Sequence, residues 1–164
     1  MKSLNQYIQE KLIINKNYRD NTIVVKSVDE LRKIIEDRYK KLGPGTEQNP
    51  IDFNDIDISN IDSFYNKNKV GIFEGTKFKH IDISDWDVSN ATNMPFMFFG
   101  CEKLKSVGDL SNWDMSKVIN MSYMFSGCKK FNQDISNWDV SKVKFKIDMF
   151  DNCPIKEKYK PKFK

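Results

Sequence analysis

One pattern is written three times between Asp82 and Cys153, and it dictates the fold. The copies open Asp82-Ile83-Ser84-Asp85-Trp86-Asp87-Val88-Ser89, Asp109-Leu110-Ser111-Asn112-Trp113-Asp114-Met115-Ser116 and Asp134-Ile135-Ser136-Asn137-Trp138-Asp139-Val140-Ser141. Matching residues follow: Met94, Met97, Phe98 and Cys101, then Met121, Met124, Phe125 and Cys128, then Met149, Phe150 and Cys153. The tryptophans Trp86, Trp113 and Trp138 step by 27 and then 25 residues, and the cysteines Cys101, Cys128 and Cys153 take the same steps. Trp to Cys is 15 residues in every copy, so the slack lies between copies. A period of about 20–30 residues marks a solenoid, in which each unit buries its apolar face against its neighbours.

Each copy reads as one strand and one short helix. Asp-Ile/Leu-Ser alternates polar and apolar, as a strand end does. Val118, Met121, Met124, Phe125 and Cys128 fall at helical spacing, on one face of about 3.6 residues per turn. Asp114 and Ser116 are N-cap types, and Gly100 and Gly127 stand where helices end. The expected fold is therefore α/β: a short strand–helix repeat solenoid, like a leucine-rich repeat.

The strings Asn-Trp-Asp-Val-Ser-Lys-Val, Asn-Met-Ser-Tyr-Met-Phe-Ser-Gly-Cys and Phe-Asn-Gln-Asp-Ile-Ser-Asn-Trp carry a resemblance. They are similar to the BspA-like leucine-rich-type repeat of bacterial surface proteins, over roughly residues 55–153. The resemblance implies a curved stack that binds other proteins, in bacteria or their phages. It implies no catalytic residues.

Residues 51–81 read as a degenerate first copy. Asp57-Ile58-Ser59-Asn60-Ile61, Phe64 and Phe73 keep the frame, a loop enters near Asn66–Lys69, and the Trp is missing. Lys146 stands where the other copies have Met94 and Met121, so the last copy is also irregular. Ahead of the repeats, Leu4, Tyr7, Ile8 and Leu12 suit a short helix, and residues 22–26 a strand. Ser27-Val28-Asp29-Glu30 is a capping box that opens a helix ending at Gly43-Pro44-Gly45. The organisation expected is an N-terminal helix–strand–helix cap (1–50), a repeat body of about four copies (51–153) and a basic tail (154–164). The tail reads as a terminal peptide with Tyr159 and Phe163 pinned on the last copy.

Charge narrows the function. The net +4 sits at the ends: residues 51–153 hold 12 Lys/Arg against 15 Asp/Glu, and residues 154–164 hold 5 against 1. A nucleic-acid surface would cluster cations on the folded face, and the chain has only three Arg. Nucleic acid is therefore not the expected partner. No apolar run is long enough to span a membrane, and the first residues lack the apolar core of a secretion signal. The expected setting is the cytoplasm of a bacterial cell or a phage particle. A cell-surface adhesion protein with an upstream leader is the alternative.

No catalytic set converges. Three cysteines in one repeat position form a column, and tetrahedral zinc needs four ligands around one centre. They read as small apolar core groups. His80, the only histidine, has no orienting constellation around it. Trp86, Trp113 and Trp138 read as a core ladder, since three open indoles would make a large apolar patch. No metal or cofactor is expected, and no cavity for a small substrate. What remains is the polar strand face, Asp82, Ser84, Asp85, Asp109, Ser111, Asn112, Asp134, Ser136 and Asn137, as the surface for a protein partner. The expected function is non-enzymatic protein binding, with a phage virion component or an inhibitor of a host protein as its concrete form. A small enzyme is the remaining alternative.

Overall fold

A computed structural model describes residues 22–163. The short helix expected over residues 4–12 lies outside them.

The capping box does what its residues dictate. Helix α1 (Val28–Leu42) begins at Ser27, whose Oγ accepts the N–H of Glu30 at 3.2 Å, and Glu30 Oε2 in turn accepts the N–H of Lys26 at 2.9 Å. Asp29 and Glu30 in its first turn, and Lys40 and Lys41 in its last, complement the helix dipole. It stops at Gly43, where φ is 75° and the N–H returns to Tyr39 O at 2.8 Å. Its inward face, Val28, Leu31 and Ile35, is buried.

Strands are brief because the chain keeps turning. β1 (Ile23–Val24) pairs in parallel with β3 (Ile56–Asp57), and β2 (Ile51–Asp52) in parallel with β4 (Ile81–Asp82). The second pairing continues past its named strands. Ile51 and Phe53 donate to His80 O and Asp82 O at 3.0 and 2.9 Å, and Ile81 and Ile83 donate to Ser106 O and Val107 O at 3.1 and 3.2 Å. The extra length of the 27-residue step falls here, at Gly108, which is wedged against the Asp82 carboxylate with φ +86°.

A longer ladder runs through the Met-Phe-Cys segments. The N–H groups of Met94, Phe96, Phe98 and Gly100 donate to the carbonyls of Asn120, Ser122, Met124 and Ser126 at 2.8–3.1 Å. Met121, Tyr123, Phe125 and Gly127 repeat this toward Phe145, Ile147, Met149 and Asp151 at 2.8–2.9 Å. Successive copies therefore lie side by side as stacked turns.

This ladder corrects the strand–helix unit. Among the described residues α1 is the only α-helix, and the segments expected as helices are tight arcs. Phe96, Tyr123 and Asp148 bend the arcs with φ of 58°, 58° and 49°. Alternate N–H groups bond sideways to the next turn, so they cannot bond up their own chain as a helix requires. The apolar residues at helical spacing are still buried, because an arc also turns them to one side: Val118, Met121, Met124, Phe125 and Cys128 are each fully enclosed.

The core is built of columns. Phe73, Phe98, Phe125 and Phe150 stack with centroid separations of 5.5, 5.1 and 5.9 Å and planes within 15°. Trp113 and Trp138 stack at 6.0 Å with planes 7° apart. Each indole also ties its turn to the one before. Trp86, Trp113 and Trp138 Nε1 donate to Phe53 O, Ile83 O and Leu110 O at 2.9, 3.3 and 3.3 Å. Counting back, the missing Trp of the degenerate copy is Ile56, buried in its place. The loop expected near residues 66–69 is there, closed by Asn66 N–H to Val70 O at 3.0 Å.

Both ends of the stack are dressed. At the first turn, Tyr39 of α1 meets Phe78 edge-on at 5.1 Å, and the Arg32 guanidinium donates to the carbonyls of Gly71 and Ile72. At the last, Ile155 and Pro161 are buried, Tyr159 is half-buried, and Ile135 N–H donates to Tyr159 O at 3.0 Å. The tail is thus pinned, as its aromatic residues suggested.

Candidate interaction surface

The polar groups singled out in the repeat gather at one corner of each turn, and each corner has the same construction. Asp82, Asp109 and Asp134 Oδ1 accept the N–H groups of Ser84, Ser111 and Ser136 at 3.1, 2.9 and 3.0 Å. An Asp that bonds its own backbone two residues on makes an Asx turn, which bends the chain without a helix. Five residues later the device recurs. Asp87, Asp114 and Asp139 Oδ1 accept from Ser89, Ser116 and Ser141, all at 3.0 Å. Asp114 and Ser116, expected as helix caps, form this second corner instead. The signal was present: Asp-x-Ser occurs twice in each copy.

The two corners carry two rows of carboxylates on the outside of the stack. Asp109 and Asp134 are exposed on one row, and Asp87, Asp114 and Asp139 on the other, while Asp82 is half-buried. Hydrogen bonds from Ser111 and Ser136 hold the Asp109 and Asp134 carboxyls below their ordinary range. Bonds from Ser89 and Ser116 do the same for Asp87 and Asp114. These groups are therefore ionised at neutral pH, and the caps fix their direction.

Neighbouring amides clamp turn to turn. Asn137 Nδ2 donates to Ser111 O at 3.0 Å, and Asn54 Oδ1 accepts the N–H of Asp85 at 2.9 Å. Asn112 sits exposed at the same corner.

The cysteines form a column, as their spacing requires. Cys101 and Cys128 are buried, with Sγ donating to Phe73 O at 2.9 Å and Phe98 O at 3.0 Å. Cys153, on the last turn, is only half-buried and points to Phe131 O at 3.7 Å. Burial raises all three thiols, Cys101 to about 11, so thiolate chemistry is suppressed. Among the described residues no group of His, Cys, Asp and Glu could hold a metal ion.

His80 is buried in the first ladder, where Nδ1 meets Ser106 Oγ at 2.9 Å across adjacent turns. Burial first, and then Lys105, lowers its affinity for a proton. The unfolded chain binds that proton more readily, so stability is full above about pH 6.5 and declines as pH falls below it. Urea midpoints taken from pH 7.5 to 5.5 should fall, and His80→Gln should remove the slope. An equal slope in the variant would assign it to other groups.

A stack without hollows was expected, and here the structure differs. A groove lies between α1 and the first turn, lined by Arg32, Tyr39, Lys40, Glu74, Lys77 and Phe78. It exists because, among the described residues, a helix and not a further turn of the repeat is laid across this end. No helix among the described residues is long and apolar enough to cross a membrane.

Among curated proteins and solved structures, nothing matches the chain. The family described as Mycoplasma protein of unknown function, DUF285, matches residues 46–160, which take in every stacked turn and most of the docked tail but leave α1 outside. With 115 of its 164 residues inside that match, the chain belongs to the DUF285 family.

Proposed function

We propose that the chain is a non-enzymatic protein-binding module, a short solenoid of the BspA-like repeat kind, whose partner docks on the Asp-x-Ser corners. The carrying observation is the pair of exposed carboxylate rows, each member oriented by the N–H of a serine two residues on, with Asp87, Asp109, Asp114 and Asp134 held below their ordinary range. Turns joined by a backbone ladder stand about 4.8 Å apart. The rows thus offer fixed negative charges at a regular step. Such a comb suits a partner surface carrying lysine and arginine, and it would speed encounter as well as select the partner.

Asparagine keeps the acceptor oxygen that caps each corner and removes the charge. A chain carrying Asp109→Asn, Asp114→Asn and Asp134→Asn should melt like the wild type. A bacterial-lysate protein retained saturably by the wild type, and lost by this variant or at high salt, supports the reading. No saturable partner, or one held equally by both chains, overturns it.

A further inference from the structure

The long ladder ends unfinished. In each of the two preceding turns, four alternate N–H groups donate to the carbonyls of the turn that follows. One turn later the equivalent donors are Lys146, Asp148, Phe150 and Asn152, and none of their N–H groups has an acceptor among the described residues. At the opposite end of this ladder Arg32 of α1 donates to the carbonyls of Gly71 and Ile72. The docked tail closes the other ladder at Ile135 and leaves this one open. Two large apolar side chains stand on the uncovered edge, Phe145 at 54% and Ile147 at 60% exposure. A row of donors with no acceptor among the described residues, beside exposed apolar groups, is a template for one more strand.

The charge around the edge selects the strand. Residues 142–164 contain eight lysines and three acidic residues. Lys146 lies over the Phe163 ring at 4.5 Å, and Lys160 over the Phe150 ring at 5.5 Å, so cations line the margin where the tail meets the edge. Lysines on an edge strand discourage pairing with a copy of the same edge, but they favour a strand that carries carboxylates. The bend is fixed too. Asp148 has φ 49°, as Phe96 and Tyr123 have 58°, so an added strand must arc at that point, and glycine does so without strain.

We propose that the edge formed by residues 145–152 receives an extended acidic segment of a partner protein, added in parallel as a further turn of the ladder. This site is separate from the carboxylate rows and of opposite charge, so either can fail without the other. The probe is a short labelled peptide in which valine and glutamate alternate about a central glycine, beside its lysine counterpart. The acidic peptide should bind and the lysine peptide should not. Amide exchange at Lys146, Asp148, Phe150 and Asn152 should slow when the acidic peptide is bound. A chain carrying Lys146→Glu and Ile147→Glu, both on exposed positions, should melt normally and bind roughly tenfold more weakly or worse. Absence of binding, equal binding of both peptides, or binding that leaves the four amides exchanging freely would each overturn the proposal. So would protection of those amides that grows with protein concentration and no peptide, since a second copy would then be the occupant.

Discussion

Trp113→Ala should unfold this chain at a temperature lower by roughly ten degrees or more. The residue is 5% exposed, in the middle of the stack. Its loss removes the plane on which Trp138 lies at 6.0 Å and leaves Ile83 O without the indole donor at 3.3 Å. Truncating a buried aromatic to alanine costs about 3–5 kcal/mol, and each kcal/mol lowers melting by about 2–4 °C in a chain of this size. Trp113→Phe is the informative companion. It keeps most of the apolar area and loses the hydrogen bond, so it should cost only about 1–2 kcal/mol. Thermal melts followed by circular dichroism give both numbers. Wild-type melting in Trp113→Ala would mean that the indoles form a binding stripe and not the core.

The columns were legible because a repeat lays like residues over like. A constant Trp-to-Cys interval needs each turn to have one internal geometry, and the structure shows it in three indole bonds of the same kind. Ser27 and Glu30 were legible because capping is a local matter of two side chains and two N–H groups. The arcs at 94–101 and 119–128 were not. The spacing of Val118, Met121, Met124, Phe125 and Cys128 records only that these side chains share an inside, and helix and arc both satisfy that. The deciding fact is where alternate N–H groups find acceptors, and those acceptors lie a full copy away in sequence.

The carboxylate corners show the same division. Asp-x-Ser reads equally as a helix start or as an Asx turn, because in both the Asp oxygen takes an N–H two or three residues on. Whether a helix follows depends on the neighbouring turn. The open edge at Lys146 was half visible: a polar residue broke the Met column. That its donors find no acceptor among the described residues follows only from the direction in which the ladder runs.

Gly71→Ala tests the ladder directly, and its expected effect is large for one added methyl. Gly71 is buried where the first turn passes the second, and a Cβ there would overlap the carbonyl carbon and oxygen of Phe96, with Met97 N at 3.0 Å. All three are backbone atoms, so no side chain can swing aside, and the two turns must part. Parting them strains Phe73 N–H to Met97 O at 2.9 Å and Gly75 N–H to Phe99 O at 2.8 Å, along with the Arg32 bonds at this end. Overpacking of this kind costs about 1–3 kcal/mol, occasionally more, and the lost ladder bonds add to it. Gly75→Ala supplies the contrast. Its φ is +68° but a Cβ there meets nothing within 4 Å, so only backbone strain of about 1–2 kcal/mol remains. Urea midpoints should therefore fall further for Gly71→Ala than for Gly75→Ala. The reverse order would show that backbone conformation, and not the spacing between turns, limits the stability of the stack.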